Sequence, residues 1–164
     1  LTFDVVNPDG AGSPTRLLMH GKEHDGPYYN NKVDYATIAT LGNASDFGDL
    51  ASEHVQAGTA SNAVRCLFGG GYTGPIVNNI DYLIIATLGN ALDFGDLTSA
   101  RQSPGAAASP TRCLWASGDS SPAGNLNTVD YVQIATTGNA TDFGDTTYAR
   151  NNQQGLSNGH GGLG

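Results

Sequence analysis

The chain has 164 residues, with 15 Asp+Glu against 7 Lys+Arg, a formal net charge of −8 and 23 glycines, and it is long enough for one domain with a real core. The acidic balance leaves no basic footprint for nucleic acid or for an anionic membrane surface, and no run approaches the roughly 18 consecutive apolar residues of a membrane span. Charged residues are only 13% of the chain, which with this much glycine suits short strands and tight turns better than long helices.

In chain order, residues 1–12 read as the closing strand of an incomplete preceding repeat, because Leu1-Thr2 aligns with Leu97-Thr98 and Ser13-Pro14-Thr15-Arg16 with Ser109-Pro110-Thr111-Arg112. Three units then follow, at 13–60, 61–108 and 109–156, and a glycine-rich tail occupies 157–164. Each unit opens with a short apolar run after an arginine: Arg16-Leu17-Leu18-Met19, Arg65-Cys66-Leu67-Phe68 and Arg112-Cys113-Leu114-Trp115. Such runs, bounded by glycine, read as buried strands. Loops at 22–31, 72–79 and 119–128 share no pattern with one another, as expected of surface loops on a common frame.

The signature strand comes next. Asp34-Tyr35, Asp81-Tyr82 and Asp130-Tyr131 recur at spacings of 47 and 49 residues, a period that points to a solenoid, a propeller or a linear array. Apolar residues on both faces of this strand imply cover on both sides. A Gly-Asn turn and an Asp-Phe-Gly-Asp segment follow, carrying Phe47, Phe94 and Phe143 as aromatic plugs, and the unit closes on a weaker strand near 50–60, 97–108 and 146–156. That makes four closing strands against three of everything else, so one of them, 1–12, is expected to lack partners of its own.

The repeat resembles a kelch blade, a family marked by a Gly pair, a Tyr, a Trp and a later Arg over about 50 residues. Phe68-Gly69-Gly70 and Tyr82 fit that order, the three phenylalanines stand where the family has Trp, and Arg101 and Arg150 stand at its Arg. The first unit departs, with Gly21 alone and His54 in place of the Arg; the third has Ala116-Ser117-Gly118. The resemblance implies an all-β fold of kelch-like β-propeller blades, three repeats of about 48 residues, closed into a ring only with further repeats or by oligomerisation. The wording of the repeats, from "IDYLIIATLGNALDFGDLTSAR" to "VDYVQIATTGNATDFGDTTYAR", is similar to tandem repeats in structural or tail-associated proteins of bacteriophages, those of cyanophages above all. That likeness implies a virion component at a tail, fibre or appendage, assembled in the host cytoplasm. Its expected partners are further copies of itself, other virion proteins or a host-surface glycan.

Asp46, Asp49, Asp93, Asp96, Asp142 and Asp145, with nearby Asn43, Asn90 and Asn139, offer oxygens to Ca²⁺, but they match no EF-hand spacing, and short turns favour the same residues. The expectation is turn capping, with neither metal nor cofactor. Arg16, Arg65 and Arg112 recur with Asp34, Asp81 and Asp130, which suggests a buried ion pair inside each unit. Tyr35, Tyr82 and Tyr131 join the structural set. His20, His24, His54 and His160 share no ligand spacing, no nucleophile–base arrangement is traceable, and the copper ligands of galactose-oxidase-like propellers are missing, so no catalysis is expected. Loop tyrosines Tyr28, Tyr29 and Tyr72 are the candidates for stacking on a sugar ring, which supports an alternative reading as a lectin-like propeller or fibril subunit. Cys66 and Cys113 sit at equivalent repeat positions and are expected to be free, buried thiols.

Overall fold

A computed structural model describes residues 9–21 and 30–155. The expected strand content is present, and among the described residues there is no helix. Among the described residues, twelve strands form three four-stranded antiparallel sheets. The first sheet holds β1 (Asp9–Gly12), β2 (Arg16–His20), β3 (Asn30–Thr37) and β4 (Ser45–His54). The second holds β5 (Gly58–Ser61), β6 (Arg65–Tyr72), β7 (Ile76–Ile84) and β8 (Leu92–Asp96). The third holds β9 (Gly105–Ala108), β10 (Arg112–Ala116), β11 (Thr128–Gln133) and β12 (Thr141–Asp145). Within each sheet the strands follow chain order, the outcome favoured when short turns join consecutive strands.

The sheets are offset from the sequence units. The segment 50–60 does not form one closing strand: its first part extends β4, and residues 58–61 open the next sheet as β5. The chain therefore passes from sheet to sheet between the last strand of one and the first of the next. The first strands β1, β5 and β9 lie side by side. Their glycines and alanines, among them Gly10, Ala60 and Ala106, line an open trough of about 650 Å³. Small side chains are what let three backbones crowd together there.

The unpartnered closing strand is not at the start of the chain. Asp9–Gly12 pairs with β2 from Asp9↔His20 to Gly12↔Leu17, while the tail 157–164 and residues 1–8 lie outside the described residues. Among the described residues it is the last copy that stands apart. The Asn152 amide donates to the Ser103 carbonyl at 3.1 Å, as the Ser103 amide does to Gln56 at 2.8 Å, and Gln153 and Gly155 rest against Gly105 and Ala106 without joining a sheet.

Alternation along the strands divides the core in two. Leu18, Val33, Phe47 and Leu50 of the first sheet pack on Cys66, Phe68, Leu83 and Ile85 of the second. Leu67, Ile80, Tyr82 and Phe94, from the opposite face of the second sheet, pack on Cys113, Trp115, Val132 and Ile134 of the third. Among the described residues, only the middle sheet is covered on both faces. The two cysteines are free and buried, and burial pushes both thiols well above their ordinary range.

Candidate functional site: the sheet joints and the loop rim

The Asp-Phe-Gly-Asp segment is a strand with a β-bulge, and its parts have separate tasks. Val33 pairs with Gly48 and Asp34 with Asp46, leaving Phe47 as the extra residue; the same shift isolates Phe94 and Phe143. A bulge re-aims the side chain it carries, and here it turns the ring onto the signature tyrosine. The pairs Tyr35–Phe47, Tyr82–Phe94 and Tyr131–Phe143 each meet edge to face at 5.8 Å. The first Asp holds the bulge locally: Asp93 and Asp142 accept from the amides of Gly95 and Gly144 at 3.1 and 2.9 Å. The glycine has φ near +144° at Gly48 and +143° at Gly95. A Cβ at Gly95 would come within 2.6 Å of the Gly138 backbone in the next sheet, so the position needs glycine twice over.

The turn of the following sheet locks onto that bulge. Gly138 and Ala140 donate to the carbonyls of Phe94 and Asp96, both at 2.7 Å, and Gly89 and Ala91 do the same to Phe47 and Asp49 at 3.0 and 2.7 Å. Asn90 and Asn139 accept through their side chains from the amides of Asp49 and Asp96, both at 3.1 Å. The asparagines thus serve the neighbouring sheet and do not cluster with the aspartates of their own repeat. Among the described residues no three His, Cys, Asp or Glu side chains come together.

The ion pair expected between Arg16, Arg65 or Arg112 and the Asp of the same unit is replaced by a different pairing. Register puts Leu18 opposite Tyr35 and Met19 opposite Asp34, so Arg16, two residues from Leu18, shares a face with Tyr35, and Asp34 projects from the other face. Each arginine instead lies over its tyrosine, at 5.0, 4.7 and 5.3 Å from the ring centre. Arg16 and Arg65 also donate to Ile85 and Ile134 carbonyls of the next sheet at 2.7 and 2.6 Å. The carboxylate of Asp130 pairs with Arg101 at 3.0 Å, both side chains fully buried. Arg101 donates further to the carbonyls of Ser117 and Thr128, and Thr98 donates to Asp130 through its amide and its hydroxyl at 2.9 and 2.7 Å. Burial pulls the Arg101 guanidinium below its ordinary value, opposed by Asp130 and then Asp142. Nothing in the spacing announced this pair, because its members come from consecutive units.

The first joint solves the same problem differently. His54 stands where Arg101 stands in the second, and Asp81 where Asp130 stands. Asp81 accepts from the Ala51 amide at 3.0 Å, and burial pushes its carboxyl above the usual range against that bond and one to Asn79. His54 is held down at about 4, by burial first and the neighbouring His20 second, with a bond to Ser52 opposing. Both ring nitrogens of His20 face carbonyls, of Lys32 at 2.8 Å and His54 at 2.7 Å. Steric fit is also private to each joint: His20 meets Phe68 edge to face in the first, whereas Gly69, at the position of His20, makes room for Trp115 in the second. Trp115 is fully buried and donates to the Gly58 carbonyl at 2.8 Å.

The loop rim carries the remaining candidate. Tyr72 sits at the end of β6 in an open trough of about 650 Å³ between loops of the second and third sheets, with Gln56, Pro75, Gln102 and Asp119. Gln102 donates its side-chain amide to Asp119 at 2.9 Å, and an isolated bridge joins the same two residues. An aromatic face beside an amide and a carboxylate suits a polyol ring. Tyr28 and Tyr29 lie outside the described residues. The chain matches no protein-family model and no curated protein sequence.

Proposed function

We propose that the chain is a non-catalytic interaction module built of kelch-like propeller blades, a component of a phage virion used for assembly or for contact with the host surface. One observation carries the reading: the residues shared by the repeats are consumed in joining one sheet to the next. Arg65 reaches Ile134, Asn139 reaches Asp96 and Arg101 reaches Asp130, so the repeated chemistry builds a scaffold and the unlike loops are left to vary. The phage assignment rests on the wording of the repeats. Mass spectrometry of purified particles, followed by immunogold labelling, tests it: the chain is expected at a tail or appendage, and its absence from washed particles refutes the assignment.

A second reading, a lectin-like rim, is favoured by Tyr72 in its polar trough. On a glycan array it requires a selective signal that Tyr72→Ala abolishes. Flat binding across all sugars removes it.

A further inference from the structure

We propose that a second copy of this chain docks the open face of its first sheet against the open face of the third sheet, in the register of the two joints the chain makes internally. The inference deepens the assembly role above, and rests on it for its purpose, by naming the partner.

The first and third sheets carry the two halves of one joint. On the third sheet, Arg112 lies over Tyr131 as Arg65 lies over Tyr82, and Phe143 meets Tyr131 at the same 5.8 Å as its counterparts. Yet Phe143 is 54% exposed where Phe47 and Phe94 are 2%. Gly144 keeps the positive φ of the bulge, 134°, although no described residue approaches it, whereas Gly48 and Gly95 are met by the turns at Gly89 and Gly138. The first sheet offers the missing partner. Ile38 is 60% exposed where Ile85 and Ile134 are 2% and 1%, and Gly42-Asn43-Ala44 repeats the turn that locks the other two joints.

Charge is complementary as well. Arg150 holds the pose of Arg101: each donates its Nε to a carbonyl two residues earlier at 3.4 Å, Tyr148 and Ser99. Each also accepts through its own carbonyl at 2.8 Å from a glycine of the neighbouring strand–loop junction, Gly118 and Gly71. Arg101 has its carboxylate in Asp130; among the described residues Arg150 has none. The equivalent of Asp130 on the first sheet is Asp34, exposed and likewise without an ion pair among the described residues. Docking brings Arg150 to the Asp34 of the second copy, Arg112 to its Ile38 carbonyl and the Asp145 amide to its Asn43. Ala116 faces Met19 at the place where Gly69 faces Trp115, a small residue against a large one again. Residues 153–155 lie where the incoming first strand would lie and pair with no sheet, so they must give way. The described residues of two copies bring twice three sheets, inside the range of about 4–8 blades that closes a propeller, so the expected assembly is a closed dimer.

The test is the solution mass of three proteins: the chain itself, Ile38→Asp and Phe143→Asp. Both substituted residues are exposed in the single chain, so circular dichroism should match the parent, and each variant should melt in one cooperative transition, below the parent wherever the parent is dimeric. The parent is expected at twice its 16.9 kDa, and each variant at the single-chain mass, with association weakened roughly 30-fold or more, the loss typical of an interface hot spot. Mixed at high concentration, the two variants should form a one-to-one dimer, because each brings the intact face that the other lacks. A parent that stays single at every concentration overturns the proposal, as do variants that associate like the parent or a mixture that does not pair. The assay uses neither particles nor glycans. A single-chain result therefore removes the docking and leaves the virion assignment standing, while a dimer absent from particles does the reverse.

Discussion

Asn substituted at two equivalent positions, Asp130→Asn and Asp81→Asn, should have unequal costs. Asp130 is the carboxylate of Arg101, and both side chains have no exposure. An amide in its place leaves a guanidinium buried without a counter-charge, and removing one member of a buried pair costs about 3–5 kcal/mol. That is a large share of the ~5–15 kcal/mol that holds an ordinary domain together. At Asp81 there is no arginine, burial already drives the carboxyl toward its neutral form, and an Asn oxygen can still accept from Ala51, so the cost should be under ~1 kcal/mol. Urea unfolding reads both: with m near 2 kcal/mol per molar, the Asp130→Asn midpoint falls by about 2 M and the Asp81→Asn midpoint by less than about 0.5 M. Equal losses in the two variants would refute the claim that Arg101 is what separates the joints.

Three further outcomes follow from the same packing. His54 stays neutral in the fold down to about 4 while the unfolded chain takes up its proton near 6.5. Stability from this residue is therefore complete above pH 6.5 and lost as pH falls toward 4, by about 3 kcal/mol; His54→Gln should flatten that part of the stability–pH curve. Asp81 works in the opposite sense, its raised value favouring the fold at low pH and losing that contribution as pH rises, so the two variants should change the slope in opposite directions. Gly69→Ala would set a Cβ 2.6 Å from the Trp115 ring, an overpacking cost of about 1–3 kcal/mol that Trp115→Phe in the same chain should partly relieve, as thermal melts would show. Cys66 and Cys113, buried with raised thiols, should react with a thiol reagent only at the rate of unfolding, which timed labelling in increasing urea measures.

How much of this was legible in the residues can be seen one motif at a time. The strands were legible, because an apolar run between glycines, repeated at one period, has few other ways to satisfy its backbone. So was the burial of the cysteines, which follows from their place inside those runs. The Asp-Phe-Gly-Asp segment was read as a plug after a turn, whereas it is an edge strand whose bulge aims the phenylalanine. A bulge is a matter of register between two strands, which no single segment declares. The rim trough at Tyr72 depends on where a loop of the following sheet falls.

The all-β character, the period and the set of residues each unit repeats follow from the order of residues alone. Which of those residues meet depends on how the sheets pack. Arg65 and Asp81 are 16 residues apart in one unit, yet strand alternation sends them to opposite faces, and each finds its neighbour in a different sheet. Arg101 and Asp130, 29 residues apart in the chain, are the pair that forms. A repeat of identical units is the same whether a residue serves its own unit or the next, so its pattern carries no information on that choice. The stacking of one sheet face on the next makes it.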